Sequence, residues 1–124
     1  ARAADDAVDD AYAQARAALA AQDYAAATLR FEALVARHPG DADYVLGLGQ
    51  THLARGDAAT AIALLERARG LAPEYLDVLQ VLASAYVVAG RRAAAHATYQ
   101  AAAQLVPDAQ WAQQGLRATL LPAP

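Results

Sequence analysis

The chain has 124 residues, 57% of them hydrophobic and 19% charged, enough for one packed domain; with no cysteine it can build neither a disulfide framework nor a thiolate metal site. A net charge of −3, with all ten basic residues arginine, argues against nucleic-acid binding. Charged or polar residues break every apolar run well short of the ~20 residues of a membrane span, so direct membrane insertion is not expected.

Abundant alanine, leucine, arginine and glutamine, with little strand-like alternation, predict an all-helical chain. The start at Ala1 and the absence of Met fit a processed terminus or a piece of a longer protein. Asp5, Asp6, Asp9 and Asp10 fall at the start of the first expected helix, where the macrodipole favours negative charge, and are read as a solvated turn rather than a cation site. The first corner, Gln22-Asp23, lacks a glycine, and Pro39 closes the helix after it. Asp41 can cap a helix over about 42–54, Arg55-Gly56-Asp57 breaks it, and a second helix over about 58–70 ends before Pro73. The same plan follows over about 76–89 and 92–105, with Gly90 between and Pro107 beyond. A last helix over about 109–121 precedes a proline-rich tail or linker, 122–124.

These elements repeat. Pro39, Pro73 and Pro107 are 34 residues apart, as are Ala27, Ala61 and Ala95, and Phe31, Leu65 and Tyr99. The second copy reads Val45-x-x-Leu48-Gly49-x-x-His52, then Ala61-x-x-x-Leu65, then Pro73; the third reads Leu79-x-x-Leu82-Ala83-x-x-Tyr86, then Ala95-x-x-x-Tyr99, then Pro107. The first is weaker at its start, Ala11-x-x-Gln14-Ala15-x-x-Ala18, and regains the pattern at Ala27, Phe31 and Pro39. Period and pattern resemble the tetratricopeptide repeat. That resemblance implies an all-α, right-handed solenoid of antiparallel pairs with about seven helices in a single domain, 1–121. Its repeats would be about 8–41, 42–75 and 76–109, with a capping helix over about 109–121.

Within LGLGQTHLARGDAATA, Gly47, Gly49 and Gly56 resemble a phosphate loop only superficially: His52 stands where a third glycine belongs, and no strand precedes Gly47. Gly49 takes the small-residue position filled by Ala15 and Ala83. Gly47 has no such role; in a helix it costs up to ~1 kcal/mol relative to Ala and would leave a dimple for a partner. His52 takes a packing position between paired helices, and with His38 and His96 it forms no metal-ligand spacing, so no metal or other cofactor is expected. Tyr75, Tyr86 and Tyr99 are read as packing residues, and Arg91-Arg92 as a turn. No nucleophile, base and acid set can be assembled, so the chain is not expected to be an enzyme.

In the family the inner surface is lined by the first helix of each pair. The phase places Asp9, Tyr12, Arg16 and Leu19 on it from the first copy, Asp43, Leu46, Gln50 and Leu53 from the second, and Asp77, Gln80, Ser84 and Val87 from the third. Asp9, Asp43 and Asp77 form a ladder, either as helix N-terminal charge or as a preference for a basic partner segment. Some family members clamp acidic chaperone C-termini with Lys and Asn; neither residue occurs here, and Arg16 is the one cation on the stripe, so that docking is not expected. The leading expectation is a non-catalytic scaffold binding a protein or peptide segment. The alternatives are a periplasmic module of a bacterial envelope protein, resembling the arrays of exopolysaccharide export and touching polysaccharide, and a self-associating module. Localisation stays open, with the bacterial periplasm favoured over the cytoplasm.

Overall fold

The computed structural model describes residues 2–120, with side chains from Asp6 onward; the side chain of Asp5, and Leu121 with the 122–124 tail, lie outside the described residues. Seven helices follow one another: α1 (Arg2–Ala20), α2 (Tyr24–Arg37), α3 (Ala42–Ala54), α4 (Ala58–Leu71), α5 (Leu76–Val88), α6 (Arg92–Leu105) and α7 (Gln110–Ala118). Among the described residues there is no strand. Helices pack as the pairs α1/α2, α3/α4 and α5/α6, each even helix also meets the next odd one, and α7 packs on α6. The result is an all-α helical repeat solenoid.

One corner recurs inside every pair. Gln22, Gly56 and Gly90, 34 residues apart, hold positive φ of 63°, 87° and 76°. After each, a backbone amide reaches five positions back: Asp23 to Ala18, Asp57 to His52 and Arg91 to Tyr86, at 2.8–2.9 Å. This is the left-handed C-terminal motif that satisfies the last carbonyls of a helix. Asp23 and Asp57 then cap α2 and α4 by accepting from the amides of Ala26 and Thr60, whereas Arg91 gives α6 no side-chain cap. Between pairs, His38, Ala72 and Val106 end the even helices, and the prolines next in line forbid continuation.

Small residues set how closely the pairs approach. Ala15, Ala27, Ala61, Ala83, Ala95 and Ala112 are fully buried, and a Cβ added to Gly49 would lie 2.8 Å from Leu65. Gly47 corrects the expected dimple. Its space is filled by the ring of Phe31, which a Cβ would meet at 2.3 Å; Gly115 receives Tyr99 in the same way, also at 2.3 Å. Buried Thr28, Thr51, Thr98 and Thr119 each donate a hydroxyl to the carbonyl four residues earlier, at 2.6–2.8 Å, so their polar atoms enter the core satisfied. α7 ends at Ala118, earlier than expected: the Thr119 amide and hydroxyl both turn back to Gly115, and the hydroxyl oxygen also meets His96 Nδ1 at 2.9 Å.

Within the acidic segment, Asp9 departs from expectation. α1 begins at Arg2, so Asp9 lies in its body, and its charge is not a helix-terminus effect.

Two stability outcomes follow. Gln22→Gly removes a left-handed side-chain penalty of about 1 kcal/mol and raises the thermal midpoint by about 4 °C in calorimetry, whereas Gly56→Ala and Gly90→Ala lower it similarly. Gly47→Ala gains ~1 kcal/mol of helix propensity but drives a methyl into a fully buried ring, a loss of about 1–3 kcal/mol, so denaturant titration shows net destabilisation. Phe31→Leu in the Gly47→Ala background recovers part of it.

Candidate functional site

The odd helices share one face, and their residues meet around a cavity of about 170 Å³. Tyr12 and Arg16 reach it from α1, Leu46 and Gln50 from α3, and Asp77 and Gln80 from α5; these are six of the twelve stripe residues. Tyr75 and Val81 complete the lining. Arg16 donates through Nη1 to Gln50 Oε1 at 2.6 Å, tying the first repeat to the second across the groove. Leu46 is buried, so it forms the floor and belongs to the central core.

The other six stripe residues lie outside this cavity. Asp9 is exposed on α1. Leu19 packs half-buried against the first-pair core and Leu53 against the central one. Ser84 is exposed and donates to the Gln80 carbonyl at 3.1 Å, while Val87 is exposed near the end of α5. Asp43 is half-buried beside the cavity and accepts the Tyr75 hydroxyl at 2.6 Å.

Tyr75 packs half-buried against the central core, as expected, and in addition lines the cavity. It occupies the N-cap position of α5, where Asp41 of the previous repeat uses its carboxylate to hold the amides of Asp43 and Tyr44. A phenol cannot cap in that way, and Tyr75 instead extends across the groove to Asp43, 32 residues earlier. The sequence signal was a tyrosine at the position of a capping aspartate.

Aromatic rings continue from the cavity toward the N-terminal side. Tyr12 lies 5.4 Å from Tyr44 and 6.3 Å from Phe31 between centroids, and His38 lies 5.8 Å from Tyr44. Burial raises the Tyr12 hydroxyl pKa; Arg16 opposes the rise, and Asp43, Asp41 and Asp77 add to it. Burial likewise raises Tyr44, helped by Asp41 and Asp9. Tyr75 is pushed well above its ordinary value near 10, first by its hydrogen bond to Asp43, then by burial and the charges of Asp43 and Asp77.

His52 is half-buried at its expected packing position, its Nδ1 3.7 Å from Asp57 Oδ2. Tyr86 donates to Glu66 at 2.9 Å beneath the guanidinium of Arg91, 4.9 Å from the ring centroid. Among the described residues, no group of three or more His, Asp or Glu could hold a metal ion, and no helix is long and apolar enough to cross a membrane.

A second cleft, of about 350 Å³, opens between α1 and α2 and is lined by Val8, Ala11, Leu34 and His38 among others. In the second pair the residues equivalent to this wall face the first pair: Leu64 joins the first-pair core, and Arg67 donates to the Pro39 carbonyl at 2.9 Å. The cleft therefore lies on the wall that, in the second pair, is covered by the repeat before it.

Two family models described as tetratricopeptide repeat match the chain, one over residues 12–75 and the other over 52–120. The chain belongs to the tetratricopeptide repeat family. A peroxisomal targeting signal receptor of Pichia angusta is 39% identical over 74 residues, which span 60% of this chain and only 13% of the receptor. Among solved structures, the Yersinia enterocolitica type III secretion chaperone SycD in complex with a peptide of the translocator YopD superposes with a TM-score of 0.85 at 21% identity, covering 92% of each chain. The TPR2B domain of yeast Sti1, in its pHsp70 complex, gives 0.84 at 19% identity, covering 90% of this chain and 94% of that one.

The pH consequence of the Tyr75–Asp43 bond has a definite sign. A hydroxyl whose pKa is raised by folding contributes stability that is fully present below about 10 and is lost as pH climbs from there toward the folded value. Denaturant titrations across this alkaline window show a steeper loss for the native chain than for Tyr75→Phe.

Proposed function

We propose that the chain is a non-catalytic interaction scaffold and that the groove over α1, α3 and α5 receives a segment of a partner protein. The observation that carries this reading is the cavity itself: three successive repeats deliver Tyr12, Arg16, Leu46, Gln50, Asp77 and Gln80 to one concavity. Burial of Leu46 supplies an apolar floor, and amide, phenol and carboxylate groups stand around it to fix a peptide backbone and select side chains. Peptide-bound relatives of the same fold, the YopD-peptide complex of SycD among them, support the mode of binding. The chaperone-terminus clamp of Lys and Asn has no counterpart here. The polysaccharide-export and periplasmic alternative rests on composition, the missing start Met and the proline tail, none of which requires it.

Chemical-shift mapping with peptides selected from a random library tests the proposal. Amide shifts gather around Tyr12, Gln50 and Gln80, and the double variant Tyr12→Ala, Gln80→Ala binds at least about tenfold more weakly. Shifts gathered instead in the outer cleft around Val8, Leu34 and His38, with affinity indifferent to the double variant, overturn it.

A further inference from the structure

The groove is polarised across its width. Asp9, Asp43 and Asp77 stand at equivalent places on α1, α3 and α5, and Leu19, Leu53 and Val87 stand ten residues further along the same helices. Ten helical residues span about 15 Å, so one edge carries carboxylates, and at the other Val87 is exposed while Leu19 and Leu53 pack half-buried against the cores. The cavity lies between these edges, with Tyr12 and Tyr75 in its wall together with Asp77, and Asp43 joined to Tyr75.

Charge in the cavity is not balanced. Arg16 is the cation of the wall, and its guanidinium is engaged by Gln50 Oε1 at 2.6 Å. Asp77 lines the same cavity, and Asp43 is hydrogen-bonded to the wall residue Tyr75. An incoming carboxylate would meet two negative groups with one committed arginine to offset them. An ammonium or guanidinium finds carboxylates for its head and phenol faces for its stem.

Resting on the groove as the partner site, we infer that this cavity selects a lysine or arginine side chain of the partner segment. The cationic head meets Asp77 and Asp43, the methylenes lie against Tyr12 and Tyr75, and an apolar residue of the same segment faces exposed Val87. The occupant is thus a basic, amphipathic peptide segment.

The test uses the full chain and short end-blocked Ala/Leu peptides with a central Lys, Arg, Gln or Glu, followed by calorimetry and amide shift mapping. The Lys and Arg peptides are expected to shift Tyr12, Tyr75 and Asp77 and to bind about tenfold tighter than the Gln peptide, an advantage that shrinks between about 0.05 and 0.5 M NaCl. Asp77→Asn, at an exposed position, should remove most of that advantage while lowering the thermal midpoint by no more than about 4 °C, the helix-terminus share of its charge, and Arg16→Gln should preserve or increase the advantage. Equal affinity of Lys and Gln peptides for the groove overturns the cation preference while leaving the groove as the binding site. A preference for the Glu peptide that Arg16→Gln abolishes overturns it in favour of an anion site. Binding of every peptide away from the odd helices, or of none at millimolar concentration, overturns both the inference and the groove reading beneath it.

Discussion

Close approach between helices, at positions with no space for a larger side chain, is the constraint on which the molecule depends. Gly49 lies against Leu65, Gly47 against Phe31 and Gly115 against Tyr99, so each contact places a bulky side chain where the opposing backbone offers at most a hydrogen atom. Fully buried alanines line the same seams. Because interiors are close-packed, these contacts fix both the separation and the relative slide of neighbouring helices. The groove inherits its width from them: moving α3 from α2 by the radius of one methyl would also move Gln50 from Arg16 and Asp43 from Tyr75.

Polar contacts then distinguish the two sides of the stack. On the even helices, Arg67 reaches the Pro39 carbonyl, and the Glu66, Tyr86 and Arg91 group joins the second pair to the third. These exposed or half-buried links add little individually, because water competes for each partner. On the inner face, the Arg16–Gln50 and Tyr75–Asp43 links cross from one repeat to the next and lie beside the cavity. The same side chains that hold neighbouring repeats in register are therefore presented to an occupant.

The repeat was legible because its signals are local and recur at a fixed interval: prolines that end helices, left-handed corner residues and small residues opposite bulky ones. Even the glycine-free corner obeys this geometry, since Gln22 adopts the backbone conformation that Gly56 and Gly90 adopt. Gly47 was not legible. Its reason is the Phe31 ring, sixteen residues earlier on another helix, and no local pattern in α3 reports it. For the groove, helical phase placed Tyr12, Arg16, Leu46, Gln50, Asp77 and Gln80 on one face, and the cavity gathers them. Phase alone could not separate cavity wall from rim, because Leu19 and Leu53 turn toward the core while Val87 stays exposed. Tyr75 escaped because it precedes α5 and reaches the groove only by forgoing the capping role of its position.

That substitution also alters the acid ladder. Three aspartates at a 34-residue interval suggest three equivalent charges, yet their surroundings differ. Asp9 is exposed in the body of α1, Asp43 is half-buried and accepts a phenol, and Asp77 is exposed in the first turn of α5. A hydrogen-bond donor fixes the direction of the Asp43 carboxylate, so its remaining acceptor positions are preorganised. Asp77 lacks that restraint and keeps its rotamer freedom until something orders it. Repetition of sequence therefore yields a graded set of acids rather than a uniform strip, and the grading centres on the repeat where Tyr75 replaces a capping aspartate.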